Sequence, residues 1–163
     1  MENLFYKSGL PYCVEHNGRR EYFYENWQRK TVELYLDKRL HGEALLYWPN
    51  GQLKRSCSFE RGVRHGLDRM WSEEGQLVDE GRYEQGKAVG AHRRYYKNGA
   101  LLEEIEYLEA PRFNLRQWDE EQILRVEAIW TGPMAYREKV WDRFQQIWIE
   151  KEGFFNGKKL VYL

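Results

Sequence analysis

The sequence predicts an all-β fold: an elongated, twisted antiparallel meander of tandem β-hairpin repeats. Three observations carry that class. Glycine columns recur every 24 residues, an aromatic column keeps step with them, and apolar residues alternate with period two between the glycines. Gly42, Gly66 and Gly90 open three blocks that align without gaps. Gly51, Gly75 and Gly99 mark their first turns, and Gly62 and Gly86 mark their second. Leu53, Leu77 and Leu101 form a further column, and Phe59, Tyr83 and Tyr107 another.

The first-strand aromatics extend the array outward: Phe23, Tyr47, Trp71, Tyr95, Trp118 and Trp141, at intervals of 24, 24, 24, 23 and 23 residues. Residues 1–17 read as a partial repeat or cap, with Tyr6 to Gly9 resembling Tyr96 to Gly99. Hairpin repeats follow at 18–41, 42–65, 66–89 and 90–112, within a single domain of residues 1–163. The block from Gln117 matches the one from Met70 if its turn glycine is deleted. Residues 113–163 are either divergent repeats or a C-terminal cap, and a helix over Leu115 to Trp130 is the competing reading. The segment from Val140 to Gly157 supplies one more hairpin.

Within a block, Leu45 and Tyr47 alternate with Ala44, Leu46 and Trp48. In the next strand Leu53, Cys57 and Phe59 face one way and Lys54, Ser56, Ser58 and Glu60 the other. Asn50-Gly51 and Asn98-Gly99 are the pair favoured in type I′ turns, where both central residues need positive φ. One hairpin cannot shield its own apolar face, so stability must come from stacking against neighbours. Lys158 and Lys159 would discourage edge pairing at the far end.

Composition narrows the function. Lys and Arg number 26 and Asp and Glu 26, so the formal net charge is zero. That counts against nucleic acid as a partner and against a membrane surface. Aromatics make up 16% of the 163 residues, although the mean hydropathy is −0.87. No signal-like or membrane-spanning apolar run is evident. Cys13 and Cys57 are too few for a disulfide framework, which places the chain in the cytoplasm.

No catalytic, cofactor-binding or metal-binding residues are expected. His41 and His65 share one repeat position before a glycine, which marks a turn residue better than a ligand. The acidic pairs Glu73-Glu74, Asp79-Glu80, Glu103-Glu104 and Glu120-Glu121 place neighbours on opposite faces or in solvated turns. They do not converge as acid–base chemistry requires.

The second-face aromatics Tyr24, Trp48 and Tyr96, together with Arg69, Arg93 and Arg94, are the candidate partner-binding residues. The arginines belong to first strands and the acids Asp79, Glu80, Glu103, Glu104 and Glu106 to second strands. Cross-strand ion pairs are therefore the plainer use for the arginines.

The pattern G-x-x-x-x-Y-Y/W-x-N-G-x-L, with a later aromatic and a closing glycine, resembles the bacterial MORN-repeat variant of YwqK-type antitoxins over Leu40 to Ala110. GVRHG at Gly62 to Gly66 resembles the turn between ordinary MORN repeats. The resemblance implies a non-enzymatic protein-binding module, an antitoxin or immunity protein whose partner is a toxin. The alternative it implies is a membrane-associated or self-assembling scaffold. Two departures stand out. Trp27 replaces the turn glycine in the N-terminal repeat, and the C-terminal third lacks the turn signature until Asn156-Gly157.

Overall fold

The structure is a computed structural model that describes residues 4–109, 112–155 and 160–163. The Asn156-Gly157 turn and the Lys158-Lys159 pair lie outside the described residues. Every regular element among them is a strand, and successive strands pair antiparallel as a meander of hairpins. The chain divides into two compact units, Met1–Ala88 and Val89–Leu163.

The first unit holds β1 (Leu4–Phe5), β2 (Pro11–His16), β3 (Arg19–Phe23), β4 (Arg29–Leu36), β5 (Arg39–Leu40), β6 (Gly42–Tyr47), β7 (Leu53–Glu60), β8 (Val63–Trp71) and β9 (Leu77–Glu84). They pair in sequence order, except that β4 pairs with β6 and β5 pairs with the end of β4, while Leu40 C=O of β5 accepts from Gly62 N–H at 2.7 Å. The second unit takes in β10 (Lys87–Tyr95) from Val89 onward. It continues with β11 (Leu101–Tyr107), β12 (Phe113–Trp118), β13 (Leu124–Trp130), β14 (Ala135–Asp142), β15 (Ile147–Phe155) and β16 (Leu160–Tyr162), again in order. Strands thus occupy the stretch from Leu115 to Trp130, and the helical reading is excluded there.

The turns reverse part of the sequence reading. At Asn50-Gly51 only Gly51 is left-handed, at φ 87°. Its N–H donates to Trp48 C=O at 2.9 Å, and Trp48 N–H closes the loop on Gln52 C=O at 2.8 Å. This is a three-residue loop with a bulge, not a type I′ turn. The corner at Asn98-Gly99 is built the same way. Type I′ geometry, with both central residues left-handed, falls instead at Asn17-Gly18, Asp37-Lys38, Arg61-Gly62 and Gln85-Gly86.

Each bulge shifts the register beside a rung aromatic. Tyr47 pairs with Leu53 but Leu46 pairs with Arg55, so Lys54 is the extra residue. The same slip recurs at Phe23, Trp71, Tyr95 and Trp118. It explains why Leu53 does not share a face with Cys57 and Phe59, as strict alternation predicts. Leu53 stands with Tyr47 and Ser56 on one face, whereas Cys57 stands with Ala44 on the other.

A single layer encloses little. The buried apolar residues are small, Cys13, Val32, Ala44, Cys57 and Ala128, and the rung aromatics are only half-buried. One layer leaves large rings partly open to solvent, and only short side chains fall to 4–5% exposure. The one buried charge among the described residues is Asp68, which is 5% exposed. It sits between Cys57 and Gly81 in the register, accepting two bonds from Arg55 at 2.8 and 2.6 Å and pairing with Arg64 at 3.4 Å. Arg64 in turn lies over the Tyr83 ring, 4.5 Å from its centroid.

Candidate partner-binding surface

The sequence singles out Tyr24, Trp48 and Tyr96 as aromatics on a second face. The structure shows how the fold uses them. Tyr24 Oη donates to Tyr47 C=O at 2.9 Å, Trp48 Nε1 to Trp71 C=O at 3.1 Å, and Tyr96 Oη to Trp118 C=O at 2.8 Å. Tyr6 Oη does the same to Phe23 C=O at 3.0 Å. Every acceptor is the rung aromatic of the following hairpin. A ring with one polar tip suits this place, because its body covers apolar surface while its tip satisfies a backbone carbonyl. The bulged lysines lie over two of the rings: Lys30 Nζ is 5.6 Å from the Tyr24 centroid and Lys54 Nζ 4.1 Å from that of Trp48.

The turn asparagines form a second set of tethers. Asn26 Nδ2 donates to Pro49 C=O and Asn50 Nδ2 to Glu73 C=O, at 2.9 and 3.0 Å, while their Oδ1 atoms accept from Gln28 N–H and Gln52 N–H. One short side chain thus shapes its own turn and holds the next.

Arg69, Arg93 and Arg94 each meet a cross-strand glutamate. The pairs are Arg69 with Glu80 at 3.4 Å, Arg93 with Glu104 at 2.8 Å and Arg94 with Glu103 at 3.2 Å, all directly opposite in the register. Arg116 with Glu127 and Lys139 with Glu150 continue the series at 3.1 and 2.9 Å. The cross-strand pairing expected from the charge columns is therefore present. These groups stay partly exposed, so each pair adds at most about 1 kcal/mol.

His41 Nδ1 accepts from Arg61 N–H at 3.5 Å, which fits its reading as a turn residue. Cys13 and Cys57 are free and buried, and burial is the main reason that both thiols titrate above the usual range. A thiol kept protonated in this way is a poor nucleophile.

The site that the candidate set missed lies at the corner where Trp27 stands in for glycine. Trp27 has φ 67° and is 57% exposed. Its N–H donates to Tyr24 C=O at 3.1 Å, the bond that Gly51 and Gly75 make in the next two repeats. A bulky L-residue held in the left-handed region costs about 1–3 kcal/mol. The ring packs edge-on to Phe23, with centroids 6.4 Å apart, and borders a cleft of about 350 Å³ lined also by Gln28, Arg29, Tyr47 and Gly51. The sequence carried the signal, since Trp27 breaks a glycine column, but a broken column alone does not say whether the backbone bends with it.

Gln122 occupies the same corner later in the chain, at φ 62°. No glycine is deleted there, as the sequence alignment had required; Gln122 replaces it. Its side-chain amide bonds both backbone groups of Leu101, at 2.9 and 3.3 Å.

No curated protein is similar enough to the chain to count as a match. The family model of the MORN repeat variant matches residues 40–61 and 88–109, which take in the β6–β7 and β10–β11 hairpins. Repeats of this family are a non-enzymatic module that binds proteins or membranes. In those two stretches the chain is similar to MORN-type repeats.

Proposed function

We propose that the chain is a protein-binding repeat module that grips its partner at the Trp27 corner, acting as an antitoxin or immunity protein that occludes a toxin. One observation carries the reading. An exposed tryptophan is held in a strained backbone conformation where neighbouring repeats place glycine, beside a cleft lined by Phe23 and Tyr47. Backbone strain that costs stability concentrates where function demands it. Trp and Tyr also dominate the energetics of protein interfaces.

Of the six residues singled out by sequence, Tyr24 supports this corner directly, since its hydroxyl fixes the turn to Tyr47. Trp48 and Tyr96 tether the following hairpins, and Arg69, Arg93 and Arg94 pair across strands, so these five support the fold.

The test is co-purification with the toxin domain encoded beside the gene, using wild type and Trp27→Gly. The variant keeps its fold, because glycine suits the turn, and loses at least tenfold in affinity. Equal binding by the variant removes the corner from the reading. A wild type that neither binds nor neutralises that toxin removes the antitoxin role.

A further inference from the structure

We propose that the unit Met1–Ala88 carries a second binding site, at the Asp37-Lys38 turn, where Arg39 and Arg61 fork a carboxylate of an acidic peptide segment. The site is separate from the Trp27 corner. The two stand at opposite ends of β4, whose eight residues span about 27 Å.

The observation behind it is a pair of arginines left out of the charge network. Every other arginine from Arg19 to Arg82 meets a carboxylate, as Arg20 meets Glu15 at 2.8 Å and Arg64 meets Asp68 at 3.4 Å. Arg39 and Arg61 meet none among the described residues. Both line one cleft of about 340 Å³, together with Leu36 and Asp37. The turn after β7 brings them together. Gly62 N–H donates to Leu40 C=O at 2.7 Å, and a Cβ at Gly62 would stand 3.8 Å from that of Arg39. Glu60, next to Arg61 in the chain, lies 3.8 Å from His65 Nδ1 instead.

The Asp37-Lys38 turn also departs from its repeats. Asn17-Gly18, Arg61-Gly62 and Gln85-Gly86 place glycine at the second left-handed position, whereas here lysine stands there at φ 62°. A side chain is strained in that region, and such strain concentrates at functional sites. Lys38 is a third cation without a carboxylate partner among the described residues.

The lining of the cleft selects the partner. A guanidinium offers a planar fork of donors that matches a carboxylate, and two of them on one cleft hold it from two sides. Both arginines are exposed, so engaging them costs little desolvation. Leu36, 52% exposed, gives an apolar wall to an aliphatic neighbour of that carboxylate. Asp37 leaves an acceptor in the cleft, which suits the N–H groups of a peptide. A phosphodiester backbone or an anionic bilayer would meet Asp37 with like charge. A peptide that alternates acidic and aliphatic residues satisfies the whole lining.

The test is fluorescence anisotropy of a labelled peptide of alternating glutamate and alanine, titrated with the full chain. The same peptide with glutamine for glutamate, and phosphatidylserine vesicles, are measured beside it. Wild type binds the glutamate peptide, and more weakly as salt rises. Arg39→Ala and Arg61→Ala each lower the affinity about tenfold at an unchanged unfolding midpoint. Lysine at both positions keeps the charge without the fork and lowers it about fivefold. Arg19→Ala, which removes a paired arginine, and Trp27→Gly, which removes the other corner, bind as wild type does. The proposal is overturned by a wild type that ignores the glutamate peptide or takes the glutamine peptide equally well. Full binding by the alanine or lysine variants overturns it too, as does capture of the vesicles in place of the peptide.

Discussion

The strands β6 to β9 and the hairpin β14–β15 are all antiparallel and carry aromatic rungs, but they live in different surroundings. Ala44, Cys57 and Asp68 are buried on β6, β7 and β8, each of which has a paired strand on both sides. In β15, Ile147, Trp148 and Ile149 are all exposed, although the first two rungs of its register include the contact of Trp141 with Trp148, ring centroids 5.6 Å apart. Aromatic content alone does not bury a strand in this architecture. A neighbour on both sides favours burial, as expected of a quasi-one-dimensional array, although Leu67 of β8 stays 44% exposed between two paired strands.

The largest expected break in this comparison is Asp68→Ala. Removing that carboxylate deletes both hydrogen bonds of Arg55 and the pairing of Arg64, but these side chains are 29% and 39% exposed and keep access to water, so the cost is about 1.5–3 kcal/mol. Glu150→Ala in the terminal hairpin also deletes an ion-pair partner, yet its surroundings are open and the urea midpoint should not move. Equal losses in urea unfolding would mean that the interior pair is no more sheltered than the terminal one.

Next in size is the exchange of corner residues. Gly75→Trp imposes on an interior repeat the strain that Trp27 carries and pushes against Gln52 Oε1, 2.9 Å from where a Cβ would stand. It should cost about 1–3 kcal/mol. Trp27→Gly should gain about 1 kcal/mol, since glycine reaches φ 67° without steric cost. Thermal unfolding of the two variants measures both, and a destabilised Trp27→Gly would show that the indole holds the turn together. Smaller again is Tyr96→Phe, which deletes one tether to Trp118 and should cost about 1 kcal/mol. Trp148→Phe, with no such tether, should leave the unfolding midpoint unchanged in dilute solution.

Much of this was legible in the sequence, and the failures have physical causes. The rung column Phe23 to Trp141 located the strands, because half-buried rings at a fixed interval have no other periodic explanation. The charge columns likewise foretold Arg93 with Glu104. The turn types were not legible. Asn-Gly fits two geometries, and which one forms depends on whether the flanking strands slip by one residue. That slip places Lys54 out of the ladder, and neither its composition nor its neighbours announce it. The block from Gln117 lacks a glycine at its turn, and its sequence does not show that Gln122 takes that corner at φ 62°. The side-chain bonds to Leu101 that hold it in place come from another hairpin.

The interfacial candidates were legible as residues but not as roles. Trp48 looks the same in sequence whether its N–H faces a partner or the Trp71 carbonyl.

Residue-resolved amide hydrogen exchange in dilute solution tests most directly whether neighbours, not intrinsic hairpin strength, stabilise each repeat. The amides of β7 and β8 should exchange slowest, near the rate set by global unfolding, and those of Trp148 and Glu150 fastest among strand residues. Uniform protection from β7 to β15, or slow exchange at Trp148 and Glu150, would contradict the account.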